Sequence, residues 1–249
     1  MPEHDFYVGY KAQAPAGTRR FLGIRIVGAT LIALLVITLI NLTQSPYADA
    51  NFEFGVSRSF EGVVSEYPYP TLLIPRPGRS ETMPYSRYLL SAPGKFGTTE
   101  LFNGLQGTTV RLSGSLIYRD EQTMIEIQPD TIESLPGDSA IAADETLGAI
   151  TLRGEIVDSK CYLGVMKPAT FKPHKACAIR CLSGGIPAIL VVRRDDGRRE
   201  HVLLADAQGR ALNEHILDRV AQPVSVSGEL FRRGSDLILR ADPADVVAL

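Results

Sequence analysis

The residues with the greatest capacity for chemistry lie in one stretch of the chain, from Gly154 to Pro187. This stretch holds all three cysteines of the 249-residue protein, Cys161, Cys177 and Cys181, together with His174, one of four histidines. Thiolate and imidazole are the ligand types that Zn²⁺, Cu(I) or an iron centre prefers. Any chemistry beyond folding and docking is therefore expected here.

The spacing of these residues predicts a short helix that carries most of them. A proline just before His174 suits the first turn of a helix, and the glycine pair after Cys181 suits its exit. His174, Cys177 and Cys181 stand at positions i, i+3 and i+7, which form one helical face. Cys161 follows a strand-like run and is expected to fold over that face.

Three interpretations of this segment remain open. In the first, Cys161, His174, Cys177 and Cys181 form a metal site for zinc, copper or an iron centre. In the second, Cys161 forms a disulfide with Cys177 or Cys181, since two cysteines one turn apart on a helix pair poorly with each other. In the third, one cysteine is a reactive thiol. The segment lacks the C-x-x-C spacing of zinc ribbons and thioredoxin-type dithiols, and the C-x-x-C-H of attached haem.

Other groups of chemical interest flank Cys161. Asp158, Lys160 and Tyr162 are candidates for a fourth ligand, a charge that stabilises a thiolate, or a hydrogen bond, and a solvated rim is the simpler expectation. Met166 is a soft donor by type, but a methionine in a loop usually packs. The chain has no Ser–His–Asp constellation, P-loop or G-x-G-x-x-G element, so hydrolase and nucleotide-binding functions lack support.

An apolar segment over residues 21–42 predicts a single transmembrane helix. Its one charged residue, Arg25, can extend to the membrane interface. Basic residues precede the apolar core and the first charges after it, Asp49 and Glu53, are acidic. This asymmetry predicts a cytoplasmic N-terminus at the inner membrane and a periplasmic body.

Two export signals compete with the membrane anchor. Ala48-Asp49-Ala50 resembles the small-residue cleavage site of a signal peptide. The run from Thr18 to Leu22 resembles a twin-arginine signal with one residue missing, although a generic basic flank is the simpler interpretation. We expect an uncleaved anchor because the region before the apolar core is unusually long for a signal peptide.

An internal repeat predicts two small β-barrels in tandem. Residues 110–135 and 224–249 align without gaps, so that Gly114 matches Gly228. Each copy reads as a strand, a polar turn and a second strand, which is a β-hairpin.

The earlier parts of the two copies also correspond. An early glycine in each first strand, Gly62 or Gly154, marks the kind of bend that small barrels need. Apolar residues from Leu212 to Val220 recur at helical spacing. The resulting order β-β-β-α-β-β is that of an OB-fold.

The predicted protein is therefore mainly β, with one transmembrane helix and two OB-like barrels, the second carrying a Cys/His-bearing helical insertion. The predicted segments are a cytoplasmic tail over residues 1–20, the membrane helix over 21–42, a linker over 43–55, OB-like domain 1 over 56–136, a linker over 137–149, and OB-like domain 2 over 150–249 with the insertion at 158–187. In the first copy, the connection equivalent to this insertion is expected to be the proline-rich segment 67–86, which has no cysteine or histidine.

The motif of the insertion carries a resemblance to a type of protein. Asp-Ser-Lys-Cys-Tyr at 158–162, followed by H-x-x-C-A-x-x-C and a G-G-x-P turn, resembles small exported bacterial OB-type domains of uncharacterised function over roughly the last 100 residues. An anchored periplasmic OB barrel is also similar in architecture to the haem chaperones of cytochrome c maturation. Their haem-attaching His-x-x-x-Tyr motif is absent from this chain.

Three classes of function fit these features. The first is an accessory subunit of an electron-transfer or respiratory-type membrane complex, with protein partners and no catalysis. The second is a metal or haem carrier, and the third is a thiol redox protein. The formal net charge of −2 gives no indication of nucleic acid as a partner.

Overall fold

The first element of the computed structural model is a long apolar helix. The structure describes residues 14–43, 50–76, 85–138, 141 and 143–249. Helix α1 (Ala16–Thr43) is the one helix in these ranges that is long and apolar enough to cross a membrane, which indicates a single-pass anchor. It covers the predicted span and includes the end of the predicted tail, whose residues 1–13 lie outside the described residues.

The first barrel closes through five strands. The strands of this half are β1 (Ala50–Phe52), β2 (Arg58–Ser65), β3 (Thr71–Pro75), β4 (Tyr85–Ser91), β5 (Thr108–Arg119), β6 (Gln122–Ile127) and β7 (Glu133–Asp138). The order is β2-β3-β4-β6-β5, and β5 pairs back onto β2. All contacts in the ring are antiparallel except that between β4 and β6, which is parallel. β1 and β7 add to β5.

The second barrel repeats this topology. Its elements are β8 (Glu145–Asp158), α2 (Phe171–Ser183), β9 (Ala188–Arg193), β10 (Arg199–Ala205), β11 (Pro223–Arg233), β12 (Asp236–Arg240) and β13 (Val246–Ala248). The ring is β8-β9-β10-β12-β11, with β10 and β12 parallel and β11 pairing back onto β8. The predicted fold of an apolar helix and two tandem small barrels, the second with a helical insertion, is confirmed.

The repeated glycines lie where strands come closest. A Cβ atom on Gly62 would approach the carbonyl oxygen of Leu73 to 2.5 Å, and one on Gly154 would collide with that of Val191. No side chain fits at either position, so each first strand needs glycine at the same point of its barrel. The sequence repeat therefore reflects a steric requirement of the shared topology.

The prediction of a helix over Leu212–Val220 is wrong. The segment forms two short 3₁₀ turns, Asn213–His215 and Leu217–Arg219. A helix this short is marginal without tertiary support. Here the buried Asn213 donates to the carbonyls of Leu182 and Ile186, so tertiary hydrogen bonds determine the local conformation.

Strands also occur where connections were expected. The proline-rich segment 67–86 contains β3, so the connection from β2 to β3 is only residues 66–70. β1 lies in the segment assigned to the first linker, and β8 begins within the segment assigned to the second. The long first strand of the second barrel therefore extends well before its glycine.

The two barrels belong to one compact unit, Asp49–Leu249. Tyr69, Leu89, Ile117 and Met124 of the first barrel are buried in the same hydrophobic cluster as the interior of the second. The cysteine segment is part of this cluster too. The packing between the barrels therefore positions the candidate site.

Candidate metal centre

The cysteines are brought together by the connection between β8 and β9. The chain leaves β8 at Asp158, makes one π-type turn over Cys161–Val165, and then forms α2. Gly184 ends α2, and its N–H group contacts the carbonyls of Arg180 and Cys181. As predicted, His174, Cys177 and Cys181 lie on this helix and Cys161 folds against it.

The three sulfur atoms form a close group, which we call the sulfur triangle. Cys161 Sγ lies 3.8 Å from Cys177 Sγ and 3.9 Å from Cys181 Sγ. All three cysteines are free thiols, and their sulfurs lie within 4.8 Å of one another. Sulfur atoms bound at 2.3 Å around a tetrahedral zinc ion are about 3.8 Å apart. Two sides of the triangle therefore have the length that a single thiophilic ion requires, and the third is at most 4.8 Å.

His174 pairs with Asp158 instead of joining the sulfur triangle. Its Nε2 lies 2.8 Å from Asp158 Oδ2, and Asp158 Oδ1 accepts a hydrogen bond from the backbone N–H of Cys161 at 2.9 Å. The ligand atoms of Asp158, Cys161 and His174 make a second group, which shares only Cys161 with the first. The carboxylate thus orients both the histidine and the first cysteine.

The expectation that the residues flanking Cys161 form a solvated rim is wrong. The side chains of Asp158, Lys160 and Tyr162 are all buried. Tyr162 packs under the guanidinium of Arg119, 4.1 Å from the ring centre, and its hydroxyl lies 3.2 Å from His201 Nε2. Burial raises the pKa of Tyr162 and lowers the pKa of His201.

A lysine from the first barrel contacts the sulfur triangle. Lys95 Nζ lies 2.7 Å from Cys177 Sγ and 3.6 Å from Cys181 Sγ. Its hydrogen bond to Cys177 raises the pKa of Lys95, which keeps the amine charged. The sequence carries no signal for this residue, because Lys95 is far from the cysteines along the chain and stands in an ordinary turn.

Lys95 is held in place by backbone contacts between the barrels. It belongs to the turn over residues 92–97, which we call the Lys95 turn. Buried Lys160 donates hydrogen bonds of 2.7 Å to the carbonyls of Ala92 and Gly94 and forms an ion pair with Glu126. The N–H of Gly97 donates to the carbonyl of Gly184 at 2.7 Å.

The thiols of the triangle are electrostatically unequal. The hydrogen bond between Cys161 and Cys181 lowers the pKa of Cys181, and the charge of Lys95 acts in the same direction. The same hydrogen bond, burial and the negative charge of Asp158 raise the pKa of Cys161. Of this pair, the thiolate form is therefore favoured at Cys181 and the protonated thiol at Cys161.

The remaining candidates are Met166, His201 and His4. Met166 is 41% exposed, and its backbone N–H donates to the carbonyl of Cys161 at 3.3 Å. His201 contacts Tyr162, and His4 lies outside the described residues.

Similarity to known proteins adds no family assignment. A scan against protein-family models finds no match, and a search of curated proteins finds no similar sequence. The chemistry of the site is therefore inferred from the residues that form it.

Proposed function

We propose that this chain is a membrane-anchored, extracytoplasmic metal-binding protein. Cys161, Cys177 and Cys181 would hold one thiophilic ion, Zn²⁺ or Cu(I), as soft thiolate ligands do. The observation that carries the proposal is the sulfur triangle, whose 3.8 and 3.9 Å separations match those around one ion. The Asp158–His174 pair would orient the site from its buried side.

A binding role is favoured over a purely structural one. The first barrel closes through the same five-strand ring with no cysteine, so the fold itself does not require the site. Cys177 is only half-buried, so this side of the site is open to solvent. The site therefore has the accessibility expected of a centre that exchanges its ion or ligands.

The anchor and its flanking charges support a place at the membrane surface. The basic N-terminal side of α1 would face the cytoplasm and the barrels would lie in the periplasm at the inner membrane. We propose an accessory role in a membrane complex of the electron-transfer type. Phe96, 63% exposed and next to Lys95, offers an apolar contact for a protein partner beside the site.

Metal analysis of the full-length protein in detergent tests the metal-binding function. After loading with Zn²⁺ and gel filtration, wild-type protein should retain one ion per chain, and Cys161→Ser, Cys177→Ser and Cys181→Ser should lose it. Met166→Leu, which changes a soft donor outside the triangle, should retain the ion. Wild-type protein that retains no metal after this loading, and whose three thiols alkylate readily, would contradict the proposal.

The placement in the membrane has its own test. A reporter that is active only outside the cytoplasm, fused after Leu249, should be active, and the protein should resist carbonate extraction. Release of a mature form that starts at Asn51 would contradict the anchor.

One observation favours thiol redox activity as a second candidate function. Cys177 is the most accessible of the three thiols, and its sulfur lies 2.7 Å from the ammonium group of Lys95. Cys177 would attack a partner disulfide and Cys161 would resolve the mixed disulfide, so that this chain is oxidised and the partner is reduced to two thiols. Metal-free protein that reduces a disulfide substrate stoichiometrically, and loses this activity in Cys177→Ser, would support it.

A further inference from the structure

We infer that the fourth coordination position of the metal is filled by an anionic ligand from outside the chain, of the thiolate class, which approaches beside Lys95. The inference rests on the proposed metal-binding function and goes beyond it by assigning the class of ligand and its path of approach. It makes the centre a ligand-exchange site, in which a partner's thiolate completes the coordination shell.

The first step is a count of the donors around the sulfur triangle. A tetrahedral ion needs one ligand besides the three sulfurs. Both oxygens of Asp158 are already engaged, one by the N–H of Cys161 and the other by His174. Neither Asp158 nor His174 belongs to the group formed by all three sulfurs. Among the described histidine, cysteine and acidic side chains, the ligand set is therefore one donor short.

The second step is the direction from which a ligand can reach the site. Cys161 and Cys181 are only 3% and 1% exposed, whereas Cys177 is half-buried. The Asp158–His174 pair is fully inside the protein. The accessible side is therefore that of Cys177, where the exposed Lys95 lies.

The third step is the charge of the ligand. Three thiolates and one Zn²⁺ leave one negative charge, so a further anion is repelled unless a cation is close by. The ammonium group of Lys95, next to two of the sulfurs, supplies that cation. The sequence of α2 adds basic residues and contains no acidic one. Lys95 therefore offsets the remaining negative charge, so that an anion is accommodated at the fourth position, and a thiophilic ion favours a thiolate among anions.

Cobalt substitution measures the fourth position directly, because Co²⁺ takes the tetrahedral sites of zinc and its visible absorption reports its ligands. Full-length protein in detergent is loaded anaerobically with Co²⁺ and titrated with 2-mercaptoethanol, a monodentate thiol, and separately with imidazole. The variants are Lys95→Met, Lys95→Arg and Lys172→Met. The last removes a charge from an exposed position of the same helix that carries two of the cysteines.

The thiol should change the Co²⁺ spectrum of the wild-type protein without removing the metal. Lys95→Met should weaken thiol binding about tenfold, the size expected for one charge interaction at a partly exposed site. Lys95→Arg and Lys172→Met should stay within about twofold of wild type. Imidazole binding should be equally weak in wild type and Lys95→Met.

Three results would overturn the inference while leaving the metal site intact. A sulfur–Co²⁺ spectrum that the thiol does not change would mean that the protein fills the fourth position itself. A spectrum altered by Lys95→Met before any thiol is added would identify the lysine amine as the ligand. Equal weakening by Lys95→Met and Lys172→Met would remove the specific role of Lys95. Absence of any sulfur–Co²⁺ band would instead contradict the proposed function.

Discussion

The two barrels share one topology but differ where the first strand ends. In the first barrel, the chain passes from β2 to β3 through residues 66–70. In the second, it passes from β8 to β9 through residues 159–187, which carry every cysteine of the protein. The cysteines thus lie in a connection between strands, where a barrel tolerates extra length, and the five-strand ring is the same in both barrels.

The carboxylates at the ends of the two first strands show what the insertion changes. Glu66 of the first barrel bonds the backbone N–H of Gln106 at 2.6 Å and is partly exposed. Asp158, at the matching point of the second barrel, is covered by α2 and pairs with His174. An insertion that buries a carboxylate must supply it with donors. His174 and the backbone N–H of Cys161 are the groups that contact the Asp158 carboxylate, and the second of these contacts positions Cys161.

The first barrel nevertheless contributes to the site. Its Lys95 turn reaches across to α2, and Lys160 of the second barrel holds the carbonyls of that turn. One barrel therefore provides the ligands and the other provides the charge next to them. The comparison predicts that disturbing the second barrel's polar groups costs more than the same change in the first.

The largest expected effect is from removing the matching carboxylates. Asp158→Ala leaves two buried donors without an acceptor, at about 1–3 kcal/mol each, so its free energy of unfolding should fall by about 2–6 kcal/mol. Glu66→Ala should cost about 1 kcal/mol, since water can replace the carboxylate there. Urea denaturation of both variants gives the two values. Equal losses would mean that burial of Asp158 is not what distinguishes the barrels.

The next effect concerns the contact between the barrels. Lys160→Met breaks the ion pair with Glu126 and leaves the Ala92 and Gly94 carbonyls without their donor. Glu126 is 19% exposed, so the cost should be about 2–3 kcal/mol, below the 3–5 kcal/mol of fully buried pairs. Hydrogen exchange of residues 92–97 should rise sharply in this variant. Unchanged protection of the turn would show that Gly97 and Gly184 hold it without Lys160.

A smaller effect is expected from a contact between the two barrels that does not involve the cysteines. The Tyr69 hydroxyl lies 2.7 Å from Asn213 Oδ1 and 2.9 Å from the carbonyl of Leu204. Tyr69→Phe should lower the free energy of unfolding by about 1–2 kcal/mol and leave the metal content unchanged. Loss of metal in this variant would indicate that the site depends on the whole junction between the barrels.

The smallest effect is a pH dependence in the second barrel alone. Glu155 occupies the position of Val63, and burial raises its pKa above the ordinary glutamate value. The folded state therefore binds its proton more tightly than the unfolded state, so this carboxyl stabilises the fold in acid and this contribution is lost as pH rises through the folded pKa. Glu155→Gln should gain stability relative to wild type over the pH range that begins at the ordinary glutamate pKa of about 4.3 and extends upward. A difference that is constant across this range, measured by thermal unfolding, would contradict the burial argument.

The features that follow from local spacing were predictable. The hairpins of the repeat, the bend glycines and the helix with His174, Cys177 and Cys181 all depend on residues close together in the chain. The 3₁₀ turns at Leu212–Val220 were not, because tertiary hydrogen bonds to Asn213 override the helical pattern.

The partners of the site depended on packing that the sequence does not display. Lys95 reaches Cys177 only because the two barrels pack together. Asp158, Lys160 and Tyr162 read as a polar flank, but α2 and the first barrel cover them. Their position directly after the apolar pair Ile156-Val157 is the local signal that could have indicated burial.

X-ray absorption of the metal-loaded, full-length protein tests the central claim most directly, because it reads the atoms bound to the ion. If the sulfur triangle is the site, a zinc-loaded sample should show three sulfur neighbours at about 2.3 Å. Cys181→Ser should lose this sulfur shell, and Met166→Leu should keep it. A shell of nitrogen and oxygen alone in the wild-type protein would contradict the account.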